Sequence, residues 1–294
     1  MATIMSVAKA GTRRLRVPGL SRTGARRLPW VSLIIVTVLL VSAVFAPWVA
    51  PHDPTNINMA ESRLAPFENL SYPLGTDVMG RDMLSRLIYG ARSALFMATV
   101  ALSAGTILGT VLGLISGYRG GWVDGVIMRI TDASLGFPTI LVALILMVIL
   151  GPGMEIIILA VALGVWDRYA RMIRGEVLYL KEMDYVTLAK VAGVSGPMIV
   201  WRHILPNTVN VLMVLTSLRV GQVILLEASL SFLGLGLPVG SPAWGIMVSE
   251  GKDVILDMWW LSLLPGLAIT AVVLCFNFFG DWLRDQLDPK MRRA

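Results

Sequence analysis

The chain is 294 residues long, 56% hydrophobic and only 15% charged, with a mean hydropathy of +0.74, whereas a soluble domain of this size carries far more charge. Its net charge is +6, but the basic residues lie between apolar blocks, where they set membrane orientation, so nucleic acid is not indicated as a partner. The single cysteine, Cys275, sits in an apolar run and excludes an intrachain disulfide framework.

Residues 1–29 hold Lys9, Arg13, Arg14, Arg16, Arg22, Arg26 and Arg27 and no acid, and read as a basic cytoplasmic tail. The apolar run 30–50 is long enough to span a bilayer and longer than the core of a cleaved leader, so it reads as a retained first transmembrane helix. Residues 51–90 form an external segment. It opens on the turn formers Pro51, Asp53 and Pro54 and closes on 82–89, where Met83, Leu84, Leu87 and Ile88 share one helical face and predict an interfacial helix.

Residues 91–282 read as a core of five further helices, over 91–116, 122–150, 154–172, 206–226 and 260–282. A basic cytoplasmic loop, 175–205, and an external cap, 234–258, interrupt them, and 283–294 form a second cytoplasmic tail. The whole is an all-α polytopic membrane protein with six transmembrane helices. Both ends fall inside, because Arg119, Arg168, Arg171, Arg174, Lys181, Lys190, Arg202, Arg284, Lys290, Arg292 and Arg293 crowd one side. On the other side Arg81 and Arg86 mix with Asp77, Asp82 and Glu250.

Within the spans, Gly105, Gly109, Gly113 and Gly117 repeat every fourth residue, which brings a neighbouring helix close, in this subunit or in a second one. Arg219 and Glu227 lie in or beside the fifth span and are candidates for a translocation path, since charge in lipid must face protein or water. Arg129 and Asp132 have the spacing of an i,i+3 pair. Trp30, Trp48, Trp122, Trp166, Trp244, Trp259, Trp260 and Trp282 fall near span ends, as an interfacial belt does, with Trp244 belonging to the external cap.

The loop is the most informative stretch. Its punctuation predicts two short helices with a bend at Gly193, an N-cap at Ser195 beside Gly196, an early-helix Pro197, and a stop at Pro206. Val191, Val194, Met198, Ile199 and Trp201 offer an apolar contact face, with Lys190 and Arg202 as a basic rim. No G-x-x-x-x-G-K-[ST], no G-x-S-x-G, no H-E-x-x-H and no clustered metal-ligand set occurs, and His52 and His203 fall on opposite sides of the membrane. Energy for any uphill transport must therefore come from elsewhere.

Ala189, Gly193, Leu205 and Pro206 keep the spacing of the signature loop of permease subunits of binding-protein-dependent ABC importers, departing from it at Thr187, Leu188 and His203. Three more blocks resemble the dipeptide, oligopeptide and nickel branch, its C-type member in particular. These are Gly75-Thr76-Asp77 with Gly80-Arg81-Asp82, then Glu227 to Gly236 with Pro242, Trp244 and Gly245, and finally Asn277 through Gly280-Asp281 to Pro289-Lys290. The resemblance covers residues 29–292.

It implies a type I ABC importer permease fold, with an external cap and a cytoplasmic coupling helix, and a place in a bacterial or archaeal cytoplasmic membrane. The chain would be a translocation subunit without an ATPase site or bound cofactor. ATP and Mg would sit on two partner ATPase subunits, with a homologous second permease and an extracytoplasmic binding protein delivering di- or oligopeptides. Nickel, glutathione or another small solute is the alternative cargo, and an ion-coupled secondary transporter the alternative class. The coupling residues implied are Ala189, Lys190, Gly193, Val194, Ser195, Gly196, Pro197, Trp201, Arg202, Leu205 and Pro206, and the external motif is Gly75, Thr76, Asp77, Gly80, Arg81 and Asp82.

Overall fold

The computed structural model describes residues 29–238 and 240–287. The basic tail up to residue 28, and Lys290, Arg292 and Arg293, lie outside the described residues. Those described are helical, apart from loops and one isolated bridge between Thr76 and Asp82.

The first apolar run folds as α1 (Trp30–Val44) and a short α2 (Ala46–Val49). The external segment then runs through a single 3₁₀ turn, Met59–Glu61, into α3 (Met83–Arg119). This helix is 37 residues, about 55 Å at 1.5 Å per residue. The interfacial helix and the second span expected as separate units are thus one rod. Polarity around Arg86 and Arg92 ends the apolar block but not the helix.

The third expected span is broken into α4 (Gly121–Leu135) and α5 (Thr139–Leu150), which meet at 86°. Pro138 offers no N–H and pushes Phe137 out of the helical region, so the chain turns there. The fourth is broken at Gly164 into α6 (Met154–Leu163) and α7 (Trp166–Leu180). The two breaks touch: a Cβ on Gly164 would lie 2.0 Å from Thr139 Cγ2. Beyond α7 come α8 (Asp184–Val191), α9 (Gly196–Ile199), a π turn over Val200–Ile204 and α10 (Leu205–Phe232). The external cap holds α11 (Trp244–Gly251), and α12 (Trp260–Leu287) is the last span. Among the described residues three continuous helices are long and apolar enough to cross a membrane, Met83–Arg119, Gly196–Phe232 and Trp260–Leu287, and the bent α4–α5 pair makes a fourth.

Pro206 does not stop the chain. Its ring would clash with the carbonyl four residues back, that of Arg202, in a regular helix. The helix instead widens by one residue: the Leu205 N–H donates to Val200 O, an i→i−5 bond, and α9 runs on into α10.

Packing follows from small residues, as it must where lipid is as apolar as the core. The glycine face of α3 lies on α7. A Cβ on Gly109 would stand 2.3 Å from Trp166 O, and one on Gly113 2.7 Å from Ala170 O. This face is therefore consumed within the subunit and is not open to a second one. Two cores result. The larger joins α3, α10 and α12 around Met83, Met97, Leu230, Trp244 and Trp260. The smaller lies toward the C-terminal end of α3, around Leu114, Ile173, Val177, Val186, Ile199 and Ile204.

Candidate functional site: a foot and a lock

The smaller core roots a compact foot. Val186 and Ala189 of α8 and Ile199 of α9 pack down on Ile173 and Val177 of α7. Between the two short helices the chain closes a Schellman motif: the Gly193 N–H donates to Lys190 O at 3.0 Å and the Val194 N–H to Ala189 O at 3.1 Å. Gly193 has φ +79°, the left-handed region that a side chain resists. Gly196 lies against Tyr118, whose Cε1 and Oη would be 3.1 Å from a Cβ there.

What remains outside is an apolar face. Leu188 is 68% exposed, Val191 82%, Met198 48% and Trp201 71%. Lys190 and Arg202 are exposed at its edge, and Pro197 and Pro206 are exposed on α9 and at the start of α10. Ile199 is buried, so it supports the face rather than forming it, as does Ala189. Leu188, a departure from the family pattern in sequence, is a principal member of the face. Behind it, burial pushes the Glu176 carboxyl up. Burial, with Glu176 and Tyr179 nearby, likewise pushes up the Tyr185 hydroxyl.

The outer motif forms a lock. Gly75 and Gly80 both have positive φ, and a Cβ on Gly80 would stand 1.8 Å from Asn58 O. They fold the chain so that Asp77 turns inward. Asp77 Oδ1 accepts from the Met79 and Arg81 N–H groups, and Oδ2 accepts from Arg81 Nε and Arg86 Nη1, each at 2.6 Å. Arg86 Nη1 also meets Glu250 Oε2 at 2.7 Å, and Arg81 donates to Gly240 O and to Glu250. Asp82 caps α3 through the Leu84 and Ser85 N–H groups. Thr76 donates to Glu61 O and accepts Trp260 Nε1–H on its own carbonyl. The lock therefore welds the segment before α3 to α11 and α12. Glu250 was visible in sequence only as an outer acid; its role depends on a contact spanning some 170 residues.

Trp244 is buried and donates its Nε1–H to Leu87 O, so it braces the lock and faces no solute. Trp166 and Trp260 are likewise buried and leave the interfacial belt, while Trp30, Trp48 and Trp122 are exposed as a belt requires.

The two charges of α10 do not pair. Arg219, half-buried, donates to Gln222 Oε1; Glu227, 2% exposed, accepts from Ser231 Oγ at 2.8 Å. Asp132 pairs with Arg171 of α7 and not with Arg129, because α7 lies alongside α4. Among the described residues no group of three or more His, Cys, Asp or Glu has metal-binding geometry.

Residues 109–293 match the family described as binding-protein-dependent transport system inner membrane component. Residues 22–66 match the N-terminal transmembrane domain of oligopeptide transport permease C. The chain is 37% identical over 273 residues to the dipeptide transport system permease protein of Bacillus subtilis (strain 168), covering 92% of this chain and 85% of that one. It is 36% identical over 259 residues to the probable D,D-dipeptide transport system permease protein of Escherichia coli (strain K12), 88% of this chain and 86% of that one. To the glutathione transport system permease protein of Escherichia coli O6:K15:H31 it is 40% identical over 267 residues, 91% of this chain and 88% of that one.

Proposed function

Because the chain belongs to the family of binding-protein-dependent transport system inner membrane components, we propose that it forms half of the membrane path of an ATP-driven importer of short peptides. It is a membrane permease and not an enzyme. A homologous permease completes the path, an extracytoplasmic binding protein delivers the solute on the side of the lock, and two ATPase subunits bearing ATP and Mg dock on the foot. Both termini then lie in the cytoplasm, and the membrane is the cytoplasmic one.

The observation that carries this reading is the foot itself. Leu188, Val191 and Trp201 project from a stub fixed by its own core and by a helix continuous with α10. An exposed apolar face on a rigid base is what a groove on a second protein can grip. Because Gly196–Phe232 is one helix, a push at the foot reaches the middle of the membrane without a hinge. Ala189, Gly193, Val194, Ser195, Gly196, Leu205 and Pro206 set the foot's shape; Lys190, Pro197, Trp201 and Arg202 lie on its surface. Arg219 and Glu227 are the path candidates on that moving helix, Arg219 being the one that is not fully buried.

Peptide is the cargo supported by the relatives named for dipeptides. Glutathione, itself a short peptide, is the second reading, favoured by a relative named for it at 40% identity. The test is ATP hydrolysis by the assembled importer in vesicles. Binding protein loaded with a dipeptide stimulates it on this reading; stimulation by an ion gradient alone, with no response to loaded binding protein, overturns it.

A further inference from the structure

Two helix breaks meet around one small cavity. At the first, α4 stops at Leu135 and α5 starts at Thr139; at the second, α6 stops at Leu163 and α7 starts at Trp166. Two hydrogen bonds tie the breaks together. Ser134 Oγ–H donates to Asp167 Oδ2 at 3.0 Å and joins α4 to α7, while Thr139 Oγ1–H donates to Gly164 O at 3.4 Å and joins α5 to the end of α6. The cavity, of about 220 Å³, is lined by these four residues together with Phe137 and Trp166.

The cavity lies well inside the membrane-spanning body. Its Trp166 edge packs on Gly109 of α3, and α3 runs ten residues past Gly109, about 15 Å, before it ends at Arg119. A carboxylate at that depth requires a positive partner, because an isolated buried charge is strongly penalised. Asp167 is 3% exposed. Its Oδ2 accepts from Ser134 and its Oδ1 from the Arg168 N–H at 2.7 Å, both uncharged donors. Among the described residues no cationic side chain lies within ion-pair distance of it. Other aspartates in the same chain have such partners: Arg81 and Arg86 hold Asp77, Arg174 holds Asp124, and Arg171 holds Asp132.

The remaining polar atoms of the wall suit a cation. Both hydroxyls spend their hydrogens on Asp167 and Gly164 and keep their lone pairs. Ser134 Oγ, Thr139 Oγ1, Gly164 O and the two carboxylate oxygens therefore offer acceptors on one space. Such oxygens are the donors that hard cations take, and broken helices inside a membrane are where they commonly converge. One carboxylate brings one negative charge, so a monovalent ion leaves the site neutral. We propose that this cavity binds one small monovalent cation, an alkali ion or a primary ammonium group, which fastens the α4–α5 break to the α6–α7 break.

The test is thermal unfolding of the full-length protein in detergent, in chloride salts at equal ionic strength. Choline, bulky and without an N–H, is the reference; sodium, potassium and methylammonium are the trial cations. The wild type is expected to melt higher in at least one trial salt than in choline, with a midpoint that climbs with the logarithm of that cation's concentration. A response to sodium or potassium identifies an alkali ion. A response to methylammonium alone identifies an ammonium, the group that the N-terminus of a peptide carries. Asp167→Asn keeps the shape and loses the charge, and is expected to melt at one temperature in all of these salts. Ser134→Ala, which removes a single oxygen, is expected to need about tenfold more cation for the same rise, and it serves where Asp167→Asn does not fold. A wild type that melts alike in every salt overturns the proposal, as does a wild-type response in Asp167→Asn or, where that variant does not fold, in Ser134→Ala.

Discussion

Asp77 and Arg86, nine residues apart, meet at 2.6 Å with both side chains 1% exposed. The same carboxylate oxygen holds Arg81, which reaches across to Glu250 of α11. A buried ion cluster is costly to break from one side, because the partner left behind stays charged and dry.

Asp77→Asn is therefore expected to destabilise the folded permease by about 3–5 kcal/mol, the range for an orphaned buried charge. Thermal unfolding of the detergent-purified protein reads this. Adding Arg86→Met to that variant recovers part of the loss, since the excess positive charge is removed and Arg81 is left balanced by Glu250; no recovery would mean that the loss does not come from uncompensated charge.

Gly109→Val is expected to fail at the α3–α7 seam. Even the first added carbon meets Trp166 O at 2.3 Å and Tyr169 Cβ at 2.6 Å. Overpacking against backbone costs about 1–3 kcal/mol or more. Gly125→Ala, where nothing lies within 4 Å of the new carbon, is the matched control and is expected to be neutral. Equal behaviour of the two would remove the seam from the account.

Gly193→Ala meets no neighbour, so its cost is conformational alone, about 1–2 kcal/mol for a left-handed residue. Gly193→Asn costs less, because asparagine tolerates this region better. ATP-driven uptake by reconstituted importer is expected to rank glycine above asparagine above alanine. The reverse order of the two variants would show that the Schellman turn does not set the foot's shape.

Glu176 lies behind the foot, with its carboxyl pushed above its ordinary value of 4.5 by burial. A carboxyl raised on folding costs stability as pH rises through its folded value, and costs nothing once protonated in both states. Glu176→Gln is therefore expected to melt higher than wild type at neutral pH, with the difference shrinking as pH falls below the raised folded value and vanishing below about pH 4.5. A difference that grows on acidification would reverse the sign of this effect.

Much of this was legible in sequence, for reasons that differ by element. Gly193 announced its turn because few residues accept that φ, and the four-residue glycine spacing on α3 announced a close helix, though not which one. Hydropathy marked the apolar blocks, but helix continuity obeys other rules. Arg92 ended a block without ending α3, whereas Pro138 and Gly164 broke helices inside blocks that read as uniform. Pro206 looked terminal because one wide turn that absorbs a proline leaves no mark in the sequence. Asp77 was visible as part of a motif, yet its partner Glu250 is far along the chain. Arg168 read as a loop charge, but it lies in α7 beside Tyr169, whose hydroxyl meets Thr216 of α10.

The central claim is that the foot is gripped by a separate ATPase. Val191→Cys places a thiol on its most exposed apolar position, and the lone native thiol, Cys275, is buried in α12. A bifunctional thiol reagent of short span, applied to the assembled importer, is expected to join Val191→Cys to an ATPase subunit, with a yield that changes between nucleotide-free and ATP-bound states. An equivalent thiol at Val126, exposed on α4, is expected to give no such product. Absence of any Val191→Cys product with the ATPase, in every nucleotide state, would contradict the account.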